Sequence, residues 1–166
     1  MSRQTEGMQP GGEWQSQGLL PLAIGFLSRR EYSREELKAK LCRRLGPDES
    51  PDAVDAVLDT LEQKGYLSNL RFAEQLVRQK SARYGAFRLK AELRRKGVPE
   101  DDIREALRTV EVSSSERAYA VWSRKFSCLP DGEKEKARQV RFLLARGFSY
   151  SDIQDVFARA REAEQD

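Results

Sequence analysis

Hydrophobic residues recur every three or four positions along most of this 166-residue chain, which is the period of amphipathic α-helices. The helical segments are short, and several of them stop at a glycine. The last third repeats the middle third 50 residues later: Leu93 and Gly97-Val98 return as Leu143 and Gly147-Phe148. A weaker copy lies upstream around Gly46. Repetition at this period indicates one helical unit used three times.

The first predicted unit covers residues 19–67. Its first helix carries Leu20, Ile24 and Leu27 at helical spacing, and Pro21 is placed in the first turn, where proline is tolerated. No run of alternating hydrophobic and polar residues predicts a strand. The pattern therefore favours a wholly helical unit.

Capping residues set the bounds of the next two helices. Ser33 and Glu36 have the spacing of a capping box, in which the serine hydroxyl accepts a hydrogen bond from the backbone of the glutamate. The helix that they open is predicted to end at Gly46-Pro47. Ser50-Pro51 then opens a third helix, and Gly65 closes it as a left-handed cap.

Two further units follow, over residues 68–111 and 112–160, each again with three helices. We interpret residues 1–18, rich in Gln, Gly and Ser, as a disordered tail, and residues 161–166 as a C-terminal tail. The predicted fold is all-α: three tandem three-helix repeats forming an elongated, curved helical array.

Composition narrows the chemistry. The chain has no histidine, which excludes Ser-His-Asp and Cys-His catalysis and histidine metal sites. Its two cysteines, Cys42 and Cys128, are far apart and are interpreted as reduced thiols of a cytoplasmic protein. No phosphate-cradling loop, signal peptide or membrane-spanning segment is predicted. We therefore expect no catalysis, cofactor, metal, membrane association or small-molecule substrate.

Charge alternates with the helices, although the net charge is only +3. Residues 71–96 hold nine basic residues against two acidic ones, whereas residues 97–111 hold five acidic and two basic ones. The nine are the candidate contacts with DNA or with an acidic partner surface: Arg71, Arg78, Lys80, Arg83, Arg88, Lys90, Arg94, Arg95 and Lys96. A mixed charged face is usually only solvated, but this excess, interleaved with Tyr84 and Phe87, favours contact with DNA phosphate or an acidic surface.

Four motifs occur in order along the chain. They are LSRREYSREEL at residues 27–37; Gly65-Tyr66-Leu67 followed by Arg71-Phe72-Ala73; Tyr84-Gly85, Arg88-Leu89 and Glu92-Leu93 followed by Lys96-Gly97-Val98; and Arg146-Gly147-Phe148 with Ile153. In this order and spacing they resemble the RecX regulatory proteins, over roughly residues 19–159. One departure is Ser68-Asn69, where the family usually has an acidic pair. Ser and Asn still cap a helix, so only a charge contact made by that pair is in doubt.

The resemblance implies a small cytoplasmic modulator of the RecA recombinase. Such proteins bind the RecA–DNA filament along its groove and restrain strand exchange, ATP turnover and SOS-type repressor cleavage. The implied partners are the filament and, weakly and electrostatically, single-stranded DNA. Two alternatives stay open from the residues alone: a stand-alone helical DNA-binding module, and a helical adaptor with no nucleic-acid role.

Overall fold

The structure, a computed structural model, describes residues 13–165, which form nine helices and no strand. The helices are α1 (Glu13–Leu27), α2 (Arg34–Cys42), α3 (Pro51–Gln63), α4 (Asn69–Lys80), α5 (Ala86–Arg95), α6 (Glu100–Glu111), α7 (Ser114–Lys125), α8 (Glu133–Ala145) and α9 (Tyr150–Gln165). The predicted all-helical class is confirmed. The chain divides into two compact units, Met1–Ser68 and Asn69–Asp166. We call α1–α3 domain 1, α4–α6 domain 2 and α7–α9 domain 3.

Domain 1 packs its three helices around one apolar core. The core contains Leu19, Ala23, Tyr32, Leu37, Leu41, Val54, Val57, Leu58, Leu61 and Leu67. The buried stripe of α1 is thus Leu19 and Ala23, whereas Ile24, one of the three apolar residues noted at helical spacing, is 44% exposed. Pro21 lies inside α1, not in its first turn, because the helix already begins at Glu13. That start falls within the predicted tail, and residues 1–12 lie outside the described residues.

The helix starts of domain 1 follow the predicted caps. The Ser33 hydroxyl accepts a hydrogen bond from the backbone N–H of Glu36 at 3.1 Å, and Ser50 accepts one from Asp52 at 3.2 Å. The predicted end of α2 was wrong. The helix stops at Cys42, and Gly46 does not adopt a positive φ.

Three helices end in the same way, at a glycine with a positive φ: 75° at Gly65, 75° at Gly97 and 88° at Gly147. An L-residue with a side chain is strained there, which explains the glycine. The residue after each glycine donates its backbone N–H to the carbonyl of a fully buried leucine. The pairs are Tyr66 with Leu61 at 2.9 Å, Val98 with Leu93 at 3.1 Å, and Phe148 with Leu143 at 3.2 Å. The repeat seen in the sequence is therefore a repeat of helix termini.

Domains 2 and 3 each have a core of their own. In domain 2, Leu89, Leu93 and Ile103 are fully buried, as their spacing predicts. In domain 3, Trp122 is buried and its indole N–H donates to the Gln139 amide oxygen at 2.7 Å. This buried polar pair was not predicted. It satisfies a donor that an apolar core would have left unpaired.

The last helix is longer than expected. α9 continues to Gln165, through most of the segment that was predicted as a C-terminal tail. Its last turns contain Ala, Glu and Gln, which are good helix formers. Within residues 13–165, no helix is long and apolar enough to cross a membrane.

Candidate nucleic-acid interface

Three of the nine predicted contact residues are already paired within domain 2. The Lys80 amine lies 2.6 Å from the Glu92 carboxylate, and Lys90 lies 3.6 Å from Glu100. Arg94 also forms an ion pair and hydrogen bond with Glu100. Arg94, assisted by Lys90, lowers the pKa of the Glu100 carboxyl. The acidic α6 thus neutralises part of the basic α5.

Domain 1 uses the same pairing. Arg34 on α2 reaches Asp59 at 2.8 Å and Glu62 at 2.9 Å on α3, and Lys38 reaches Asp55 at 2.9 Å. Exposed pairs of this kind contribute little stability singly. Because these cations are paired, they do not present free charge to a partner. The positive charge that α2 offers to a partner is reduced accordingly.

The remaining predicted residues differ in their surroundings. Arg78, Arg83 and Arg95 are exposed and have no carboxylate partner among the described residues. Arg88 is also exposed, but its guanidinium lies 4.1 Å from the Tyr84 ring centre and donates to the Ala145 carbonyl at 3.2 Å. Arg71 and Lys96 take part in contacts of their own.

The structure places Arg83 beside basic residues that the sequence did not single out. Arg83 and Ala82, in the turn after α4, face the end of α7 and α8 across a groove of about 290 Å³. We call it the junction groove. Its lining residues are Ala82, Arg83, Val121, Arg124, Lys125, Phe142 and Arg146. Four of these described residues are basic and none is acidic, so the groove concentrates positive charge over an apolar floor.

Two backbone hydrogen bonds join domain 2 to domain 3 at this groove. The Gly85 N–H donates to the Arg146 carbonyl at 2.8 Å, and the Phe87 N–H donates to the Gly147 carbonyl at 3.1 Å. A Cβ atom on Gly85 would lie only 2.3 Å from the Gly147 carbonyl oxygen. Both glycines are therefore required by the close approach of two backbones, and for Gly147 this adds to its role as a helix cap.

Arg117 on α7 forms the second link between the domains. One of its terminal nitrogens donates to the carbonyls of Ser81 at 2.7 Å and Tyr84 at 2.9 Å, and the other donates to the Val110 carbonyl at 2.9 Å. Burial lowers the pKa of Arg117, and Asp152 opposes that shift only in part. Arginine still stays charged at neutral pH, so these are charge-assisted hydrogen bonds.

The same arginine positions the groove. Residues 117, 121 and 124 follow one face of α7, and the turn that Arg117 holds carries Ala82 and Arg83. The hydrogen bonds of Arg117, which we call the Arg117 clamp, therefore hold one wall of the junction groove against the other. The arrangement is suited to binding an anion.

Among the described residues, no group of three or more Cys, Asp or Glu side chains is placed to hold a metal ion.

Only part of this groove could be predicted from the sequence. Arg83 belongs to the basic segment of α4–α5, but Arg124-Lys125 lies outside that segment, and Arg146 was noted only as part of the motif Arg146-Gly147-Phe148. Their convergence depends on how domain 3 docks on domain 2. The pairing of a partly buried arginine, Arg117, with carbonyls 33 and 36 residues away is likewise not visible in the sequence.

Comparison with known proteins identifies the family. Residues 68–107 match the family model described as RecX, second three-helix domain, and residues 113–157 match RecX, third three-helix domain. The regulatory protein RecX of Ralstonia nicotianae is 44% identical over 138 residues, which is 83% of this chain and 85% of that protein. The regulatory protein RecX of Chromobacterium violaceum is 44% identical over 137 residues, covering 82% and 86% of the two chains.

Solved structures show the same fold. The crystal structure of RecX from Lactobacillus salivarius superposes with a TM-score of 0.78 at 20% identity, covering 89% of this chain and 97% of that one. A second crystal structure of a regulatory protein RecX gives a TM-score of 0.72 at 19% identity, with 92% and 81% covered. With two family models in consecutive domains and relatives matched over most of their length, this chain belongs to the RecX family of regulatory proteins.

Proposed function

We propose that the protein is a non-enzymatic regulator in the cytoplasm that binds the RecA–DNA filament and restrains strand exchange, ATP turnover and repressor cleavage. The observation that carries the proposal is family membership: regulatory proteins RecX match this chain at up to 44% identity over most of its length. DNA repair and the SOS response are the setting in which such restraint acts.

The use of the acidic side chains supports action by binding. Glu36 pairs with Arg30 at 3.3 Å, and the Asp152 carboxylate accepts from the backbone and hydroxyl of Ser149 at 2.8 Å each. Glu100 is held by Arg94. A general acid or base has to be poised for proton exchange with a substrate, whereas these carboxylates are committed to ion pairs and helix caps. We accordingly expect no need for a nucleotide or metal bound to this protein.

The contact surface that we propose starts from the nine basic residues of α4 and α5. Among them, Arg78, Arg83, Arg88 and Arg95 are exposed and have no carboxylate partner among the described residues. Lys80, Lys90 and Arg94 are less available because each already contacts a carboxylate of domain 2. A filament of recombinase and DNA offers phosphate and acidic side chains, which complement the first group.

The test is inhibition of RecA ATP turnover on single-stranded DNA. The double variant Arg78→Glu, Arg95→Glu should raise the concentration for half-inhibition several-fold, because two cations become anions without loss of a structural contact. The matched control is Arg104→Glu, Arg108→Glu, which makes the same charge change at exposed residues that pair only with Asp101 and Glu105 one turn away. Inhibition should also weaken as salt rises. Wild-type protein that leaves RecA turnover unchanged would refute the proposal.

A stand-alone nucleic-acid-binding module is the second candidate, favoured by the junction groove. The two functions are separated by cosedimentation with preformed RecA filaments and with bare DNA. A filament regulator binds the filament more tightly than the DNA alone, whereas a stand-alone module binds both equally.

A further inference from the structure

Four cations converge at the junction groove without an acidic neighbour in its lining. Arg83 comes from domain 2, and Arg124, Lys125 and Arg146 come from domain 3. Elsewhere in the described chain, several cations on α2, α4, α5 and α6 are paired with carboxylates, as Arg34 is with Asp59 and Lys80 is with Glu92. Like charges gathered without compensation repel one another, so the cluster is most stable when an anion occupies it.

The floor of the groove is apolar. Ala82, Val121 and Phe142 line it between the cations, and the Arg146 guanidinium lies 4.8 Å from the Phe142 ring centre. A volume of about 290 Å³ is at the lower limit of pockets that enclose a whole small molecule, roughly 300–1,000 Å³. The volume of the groove and its four cations suit a short segment of a polyanion whose less polar part contacts the apolar residues.

We propose that the junction groove binds the sugar–phosphate backbone of a single nucleic-acid strand. Arginine supplies three of the four cations, and its planar fork of N–H donors matches the oxygens of a phosphate. The apolar floor accommodates the sugar that joins one phosphate to the next. The contacts go to the backbone, so the site has no base preference of its own.

Preorganisation favours this use. Arg117 ties the turn of Arg83 to α7, and the Gly85–Arg146 hydrogen bond ties the start of α5 to the end of α8. The backbone segments that carry the four cations are therefore held in position before the strand arrives, which lowers the entropy lost on binding. The site belongs to domains 2 and 3 jointly, and neither domain forms it alone.

This assignment rests on the proposed function in taking a nucleic-acid strand as the partner, but its test uses no recombinase. If the oligonucleotide experiment failed, the proposal of filament regulation would be unaffected. If the protein failed to inhibit RecA, the proposal of a DNA site in the groove would be unaffected. The ligand is a fluorescent single-stranded oligonucleotide of mixed sequence, and the readout is anisotropy at a series of salt concentrations.

The test variant is Arg83→Gln, Arg124→Gln in the full chain. Neither side chain forms a hydrogen bond or ion pair with another described residue, so the fold should be retained, as helix circular dichroism will verify. The control is Arg104→Gln, Arg108→Gln, which removes the same charge from exposed positions on α6.

Loss of two phosphate contacts lowers the slope of log affinity against log salt by about 1.4 for a single strand. Between about 50 and 200 mM salt, the wild type should therefore lose roughly sevenfold more affinity than the groove variant. The control should keep the wild-type slope. An unchanged slope in the groove variant would overturn the proposal. A second measurement uses an acidic polyglutamate peptide in place of the oligonucleotide. If the groove variant lost affinity only for this peptide, the proposal would also be overturned, because the groove would then belong to a protein partner.

Discussion

Replacing Arg117 tests whether a partly buried cation holds domains 2 and 3 together. The variant Arg117→Met keeps an unbranched apolar side chain in place of the aliphatic part of arginine but removes three hydrogen bonds, to the carbonyls of Ser81, Tyr84 and Val110. The experiment is thermal and urea unfolding of the full chain, followed by helix circular dichroism.

Two opposing contributions set the size of the effect. Removing the charge also removes the free-energy cost of taking it out of water. Replacing a charged pair can therefore leave the free energy of unfolding unchanged when both partners become apolar. Here the partners are backbone carbonyls, which remain polar after the substitution. Each carbonyl left without a donor costs about 1–3 kcal/mol. Because the site is only partly shielded from water, we take the lower end for all three, about 3 kcal/mol in total. For a unit of this size, that lowers Tm by roughly 12–24 °C.

Two further variants make the result interpretable. Arg104→Met changes an exposed arginine on α6, whose side chain is 72% exposed, and should stay within about 0.5 kcal/mol of the wild type. Arg117→Lys keeps the charge but lacks the planar fork that reaches three carbonyls, so it should recover less than half of the loss. Stability of Arg117→Met equal to that of Arg104→Met would refute the clamp, and full rescue by lysine would show that charge alone suffices.

The remaining predictions concern the domain junction and acid stability. Gly85→Ala should destabilise the second unit by about 1–3 kcal/mol, because its Cβ would meet the Gly147 backbone at 2.3 Å. The same substitution at Gly25, inside α1 with no atom within 4 Å of the added Cβ, should stabilise by about 0.5–1 kcal/mol, and urea unfolding measures both. Lys38 lowers the pKa of the Asp55 carboxyl in the folded protein. The pair therefore stabilises the fold at a pH above about 3.9, the pKa of Asp in the unfolded chain, and this stabilisation is lost as the pH falls through the lower pKa of the folded protein. Lys38→Met should therefore show a smaller loss of stability on acidification than the wild type, whereas Lys64→Met, at an exposed position, should match the wild type.

Much of the architecture was predictable from the sequence because it depends on local interactions. The capping role of Ser33 follows from its distance to Glu36 along the chain, and the positive φ of Gly97 follows from the helix that stops there. Burial of Leu93 and Ile103 follows from helical periodicity. Errors occurred where local signals compete, as at Pro21, which lies inside a helix that began earlier than the composition suggested.

The candidate site was predictable only in part. The excess of basic residues over 71–96 drew attention to Arg83, but the same criterion selected Lys80, Lys90 and Arg94, which the fold pairs with carboxylates. A count of charges along the chain cannot separate the two kinds of cation, because ion pairing depends on which helix packs against which. Predictions on the domain boundaries and on an elongated, curved array stay predictions.

The sequence by itself determined the helical class, the repeated helix stops and the family, since all three are written in short-range spacing and in motifs that keep their order. Tertiary structure alone decided that Gly85 meets Gly147, that Arg117 clamps Ser81 and Tyr84, and that four cations from two domains share one groove. The physical reason is that these contacts join residues more than 30 positions apart, and their energies depend on distances and burial that exist only after the domains have docked.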